Sequence, residues 1–172
     1  PKGIGVMFLS SEVKLPSFFH GGKQELERRA GTVNVSGVAS LSAALDEQQR
    51  NITNQNQNIL KERMEFEEMI KHSLDVMVVG DSVKRLEHIS NIQFNNIHSE
   101  TLMVALDLQG LGVSRGSACA SGAQRPSHVL QAMKVSNDKI NSHLRFSFGW
   151  NTQIGDGIKA AKIVLSSVEG MK

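Results

Sequence analysis

The chain holds a single cysteine, Cys119, among 172 residues, so an internal disulfide is excluded and a reducing compartment is the expected setting. No apolar run is long enough to cross a bilayer, and no signal-peptide pattern opens the sequence. Neither sign of charge dominates: 19 basic side chains against 17 acidic leave +2, too little to argue for nucleic acid or a membrane surface as primary partner. Six histidines are present, but no paired cysteines or closely spaced histidines have the form of a metal site. Gly3-Ile4-Gly5 lacks the third glycine of a dinucleotide-binding loop. The expectation is a protein of the cytoplasm, or of an organelle matrix, without a metal ion. Its 40% hydrophobic content supplies one or two modest cores.

A second absence organises the middle of the chain. From Val38 to Val79 there is neither glycine nor proline, and Val38, Leu45, Ile52, Ile59 and Phe66 recur every seven residues, which predicts one long helix to about Ser73 with a core-packing stripe. The stripe thins over Asn51 to Asn58, where asparagine and glutamine weaken the helix. Gly3 to Leu9 reads as a strand, as do Val76–Val79 and Ile89–Phe94 about a break at Gly80-Asp81. Ser99 is the expected N-cap of a short helix ending at Gly110, and Pro126 opens another to about Met133. Leu144, Phe146 and Phe148 alternate with Arg145 and Ser147, so a strand there turns the arginine away from its apolar face. Thr152 is the expected cap of a last helix buried along Ile154, Ile158, Ala161, Leu165 and Val168. The fold class is α/β, with an α+β unit carrying a small sheet from Leu74 onward.

Cys119 sits in Gly116-Ser117-Ala118-Cys119-Ala120-Ser121-Gly122-Ala123, a run of small residues with nothing bulky to anchor it. A free cysteine is ordinarily a buried small hydrophobe. Here the glycines widen the accessible backbone conformations and the neighbours do not shield sulfur, so the expectation is an exposed, travelling nucleophile on a mobile loop. Arg115 is a candidate for electrostatic help to its thiolate.

Gly116–Ser121, followed by Pro126-Ser127-His128-Val129-Leu130 and Leu144-Arg145-Phe146-Ser147-Phe148-Gly149, resembles the C-terminal part of pyridoxal-phosphate-dependent cysteine desulfurases, in the class V aminotransferase group. Upstream, Pro1-Lys2-Gly3-Ile4-Gly5, His20–Glu25 and Arg28-Arg29-Ala30-Gly31-Thr32 match in the same order. The resemblance implies residues 1–37 as a remnant of the large cofactor-binding domain, 38–73 as a connecting helix and 74–172 as the small α+β domain of that transferase fold. It implies that Arg145 holds the carboxylate of substrate cysteine, and that Thr32 reaches the phosphate of pyridoxal 5'-phosphate bound by the other subunit of a homodimer. Cys119 then attacks the substrate sulfur, alanine leaves, and the persulfide passes to an acceptor such as an iron–sulfur scaffold or an RNA-thiolation partner.

The family's Schiff-base lysine precedes the segment matched by Pro1-Lys2-Gly3, so the expectation is a fragment that does not catalyse the complete reaction alone. Lys23, Leu26, Glu27, Trp150 and Gly155-Asp156-Gly157 depart from the family's usual residues. His20, Gln24 and His128 receive no catalytic role. Two other readings stand beside the enzyme: a non-catalytic persulfide carrier, and a structural fragment.

Overall fold

A computed structural model describes residues 1–115 and 127–171. The chain divides into two compact units, Pro1–Ile52 and Thr53–Lys172, and helix α1 (Val35–Ser73) runs from one into the other. Asn34 starts that helix: its Oδ1 accepts from the Gly37 amide at 3.0 Å, satisfying one of the donors that a first turn leaves over.

The first unit is mostly irregular and buries only Ala30. Gly3 to Leu9, expected as a strand, is not one, because no neighbouring strand offers its backbone groups a ladder. Glu25, Leu26 and Glu27 form a left-handed turn, with φ of 52°, 57° and 63°. Of the heptad stripe, Val38, Leu45 and Ile52 remain exposed, whereas Ile59 and Phe66 in the second unit are buried. Core packing therefore describes only the later half, since no other regular helix or strand of the first unit lies along the earlier one.

The second unit is built on an antiparallel sheet of order β1 (Val76–Val78), β2 (Ile89–Phe94), β3 (His143–Ser147). Register places Ile92 opposite Leu144 and Val76 opposite Phe94, so Val78, Ile92, Phe94, Leu144 and Phe146 line one face. Phe66 and Ile70 of α1, Leu102 and Leu106 of α2 (Ser99–Leu108), and Ala161, Val164 and Val168 of α5 (Asp156–Glu169) complete one core with them. Phe66 stacks on Phe146 with ring centroids 4.7 Å apart. Truncating a buried phenylalanine of this kind costs about 3–5 kcal/mol.

Two caps differ from those expected. Ser99 is the first residue of α2, and its hydroxyl donates to the Asn141 carbonyl at 2.6 Å, fastening α2 to the start of β3. Thr152 does not cap α5; its hydroxyl accepts from the Gly149 amide. The cap comes from the fully buried Glu62 on α1, whose carboxylate takes the amides of Gly155 at 3.0 Å and Gly157 at 2.8 Å. A carboxylate there also meets the positive end of the helix dipole. Gly155 has φ of +90°, and a Cβ on Gly157 would collide with the Glu62 backbone carbonyl. The departure Gly155-Asp156-Gly157 is thus the shape of this contact. Because α5 begins after it, Ile154 is exposed rather than buried, and Val164 joins the stripe.

Helices α3 (His128–Ala132) and α4 (Asn137–Ile140) follow Ser127, which caps α3 by accepting from the Leu130 amide at 3.4 Å. Between β1 and β2, Arg85 forms two parallel hydrogen bonds to the buried Glu67 of α1, at 2.8 and 2.7 Å, and Arg63 Nη1 donates to both oxygens of the same carboxylate, at 3.0 and 2.9 Å. Burial opposes ionisation of Glu67, yet the Arg85 hydrogen bonds and both guanidinium charges outweigh it and hold its carboxyl below the usual range.

Candidate active site: the polar face of the sheet

The other face of the same sheet is polar. Asn91 and Gln93 alternate with the core residues Ile92 and Phe94, and across from them stand Arg145 and His143. Phe94 donates to Ser142 and Phe148 to His88, which places Asn91 and Arg145 between ladder rungs, where facing side chains stand closest, with Cα atoms about 4.5 Å apart. The backbone of Asn91 bonds instead towards β1, through the Val79 amide at 2.8 Å. That of Arg145 bonds outward to Ser114, which it pairs as an antiparallel bridge.

Arg145 is half-buried, and its guanidinium has no hydrogen-bond or ion-pair partner among the described residues. Its Nε is wholly buried and unsatisfied. A guanidinium left this way carries a desolvation cost that a bound anion removes, and its planar pair of donors matches a carboxylate. His143 is 1% exposed, and its Nδ1 lies 2.8 Å from Asn91 Oδ1. Burial pushes its pKa down, which keeps the ring neutral beside Arg145. The His143 Nε2 and the Gln93 Oε1 are likewise buried without partners.

Sequence reasoning placed Arg145 on the polar side of its strand, and the structure places it there. It missed Asn91 and His143. The signal was present in the period-two alternation of Asn91 and Gln93 with Ile92 and Phe94, but their meeting with β3 depends on register, which one strand alone does not reveal.

Cys119 and the Gly116–Ala123 segment lie outside the described residues. The chain entering it is well fixed. Arg115 donates to Glu100 on α2 at 2.9 Å and to Asn141 Oδ1 at 3.2 Å; the help expected from it towards the thiolate concerns a residue outside the described ones.

Thr32 belongs to the first unit. It is exposed, and its amide and hydroxyl have no partner among the described residues. Gln24 supports this loop, its Oε1 accepting from the Gly31 amide at 3.3 Å, and Arg29 stacks over Phe19 at 5.1 Å while donating to the Ala30 carbonyl. Gly31 takes φ of +100°, a conformation open to glycine.

Residues 1–156 match the aminotransferase class-V family. The chain is 37% identical to a cysteine desulfurase of Gluconacetobacter diazotrophicus over 150 residues, covering 86% of this chain and 37% of that protein. It is 34% identical to a cysteine desulfurase of Bradyrhizobium diazoefficiens over 172 residues, covering 100% of this chain and 44% of that protein. A solved NifS-like protein from Rickettsia africae superimposes with a TM-score of 0.72 over 92% of this chain and 40% of that one, at 24% identity, and so agrees in fold. The chain spans less than half the length of these relatives. The match across most of the chain, over a sheet whose arginine has no partner among the described residues, places it in the aminotransferase class-V family.

Proposed function

We propose that the complete protein is a cysteine desulfurase, dependent on pyridoxal 5'-phosphate and working as a homodimer in the cytoplasm. The observation that carries the reading is the half-buried guanidinium of Arg145, without a partner among the described residues and set on the strand to which the approach to the chain's one cysteine is bonded. The cysteine desulfurases among its relatives support the choice of substrate.

In this reading Arg145 takes the carboxylate of L-cysteine in two parallel hydrogen bonds, fixing which way the substrate's sulfur points. Thr32 holds the cofactor phosphate of the other subunit. The bound cofactor supplies an electron sink for the substrate carbon skeleton. The Cys119 thiolate attacks the substrate sulfur, the carbon–sulfur bond breaks with its electron pair passing to the carbon side, and protonation there yields alanine. Cys119 retains the sulfur as a persulfide. Cys119 follows Ser114 by five residues, which limits the distance between their Cα atoms to about 18 Å. The acceptor is a protein serving iron–sulfur assembly or RNA thiolation, a choice supported by the likeness of Gly116–Ser121 to the cysteine desulfurases with a long mobile loop, which serve those two tasks.

Incubating the complete protein with L-cysteine tests the reading. Stoichiometric alanine together with a Cys119-containing peptide one sulfur atom heavier is expected. No alanine, with Cys119 charged only when a separate desulfurase is added, would instead establish the carrier.

A further inference from the structure

Two parallel hydrogen bonds from Arg145 use only one lone-pair direction on each carboxylate oxygen, and the polar face supplies a further donor. The Asn91 side chain stands directly across the strand pair from Arg145 at a position between rungs. An amide offers one acceptor and two donors. Had its acceptor faced the guanidinium, the two would have satisfied one another. Instead Oδ1 is held by His143 Nδ1 at 2.8 Å, and Nδ2 has no partner among the described residues. Two donor groups therefore lie side by side without an acceptor, one charged and one neutral. This arrangement repels cations and suits an anion with two oxygens.

We propose that Asn91 is a second ligand of the substrate α-carboxylate, donating from Nδ2, and that His143 is a positioning residue that turns the Asn91 amide so that its donors face the substrate. The inference rests on the reading of Arg145 given above. For His143 to act so, the ring must carry its proton on Nδ1 and none on Nε2. Its Nε2 is buried without a partner, a burden smaller for a bare lone pair than for an N–H. A neutral ring also spares the site a second positive charge on the strand that bears Arg145. Asn91 is itself half-buried, so its donors remain reachable by a ligand.

The test uses the complete, cofactor-loaded enzyme with two ligands, L-cysteine and cysteamine, which is cysteine without its carboxylate. Asn91→Leu should raise KM for cysteine about tenfold or more, with kcat within about twofold, and leave cysteamine affinity unchanged. Asn91→Ser, smaller and polar, repeats the measurement should the leucine variant fold poorly. His143→Phe should raise the cysteine KM in the same direction. Combined with Asn91→Leu it should add nothing further, because it acts only through that amide. Equal losses for cysteine and cysteamine, an unchanged cysteine KM, or fully additive effects of the two substitutions would overturn the proposal. Arg145→Ala serves as the control. If it raises the cysteine KM while Asn91→Leu does not, this inference alone fails; if neither does, the carboxylate site itself is wrong.

Discussion

Ser114 and Arg145 exchange both backbone hydrogen bonds, Ser114 N to Arg145 O at 3.0 Å and Arg145 N to Ser114 O at 2.8 Å. The strand that carries the candidate carboxylate ligand is thereby bonded to the segment from which the chain departs towards Cys119. Arg115, clamped to Glu100 and Asn141, holds that departure in place. The proposed carboxylate ligand and the root of the segment that bears Cys119 are consequently joined by backbone hydrogen bonds, the arrangement that attack at a fixed sulfur would require.

Replacing Arg145 by alanine in the complete enzyme is expected to weaken cysteine binding by about 1.5–3 kcal/mol, the usual worth of a charge-assisted hydrogen-bonded pair. Arg145→Lys should recover only part of this, because an ammonium lacks the planar fork. Initial rates against cysteine concentration decide the matter. An unchanged curve for Arg145→Ala contradicts the assignment.

Cys119→Ser preserves shape but removes the ionisable thiol, since a hydroxyl stays protonated near neutral pH. Persulfide formation should vanish while cofactor and cysteine still bind. Peptide mass mapping of the segment that carries residue 119, after exposure to labelled cysteine, gives the answer. Sulfur retained covalently by the serine variant would sink the idea.

Gly157→Ala is expected to destabilise the second unit by about 1–3 kcal/mol or more, as overpacking against backbone does. The added methyl would press on the Glu62 carbonyl, which lies in a helix and has little freedom to retreat. Alanine normally favours a helix interior over glycine, so the sign is diagnostic. Urea denaturation of the two proteins, compared under the same conditions, should show the lower midpoint in the variant; a rise would disprove the close contact.

Acid should loosen the junction of α1 with the loop before β2. Glu67 has a depressed folded-state pKa, so its contribution is fully present above its unfolded value of 4.5 and is lost as pH falls from there through the folded value. Thermal midpoints measured from pH 6 downward should decline below about 4.5, and Glu67→Gln should flatten that decline while lowering the midpoint at neutral pH. The neutral-pH loss follows from leaving Arg63 and Arg85 without their shared carboxylate. An acid profile identical in both proteins would be the contrary result.

Local periodicity carried much of the architecture. The glycine-free, proline-free stretch after Val38 reads as a helix because backbone hydrogen bonds within a helix are local. The alternation about Arg145 reads as a strand because a pleat turns successive side chains to opposite faces. Both are properties of neighbours in sequence, and both are seen in α1 and β3. Motif order likewise singled out Cys119, Arg145 and Thr32 without reference to any distance. Other features depend on residues far apart in the chain. Glu62 caps a helix that begins 94 residues later, at Asp156, and local sequence named Thr152 because it was the nearest suitable oxygen. Ser99 gave its hydroxyl to Asn141 rather than to its own helix for the same reason. Most of all, the polar row of Asn91, Arg145 and Ser114 exists only through strand register. Composition and spacing state which side each residue takes on its own strand; which residues face one another is decided when the core face closes, because sliding a strand by one position would bury Asn91 and expose Ile92.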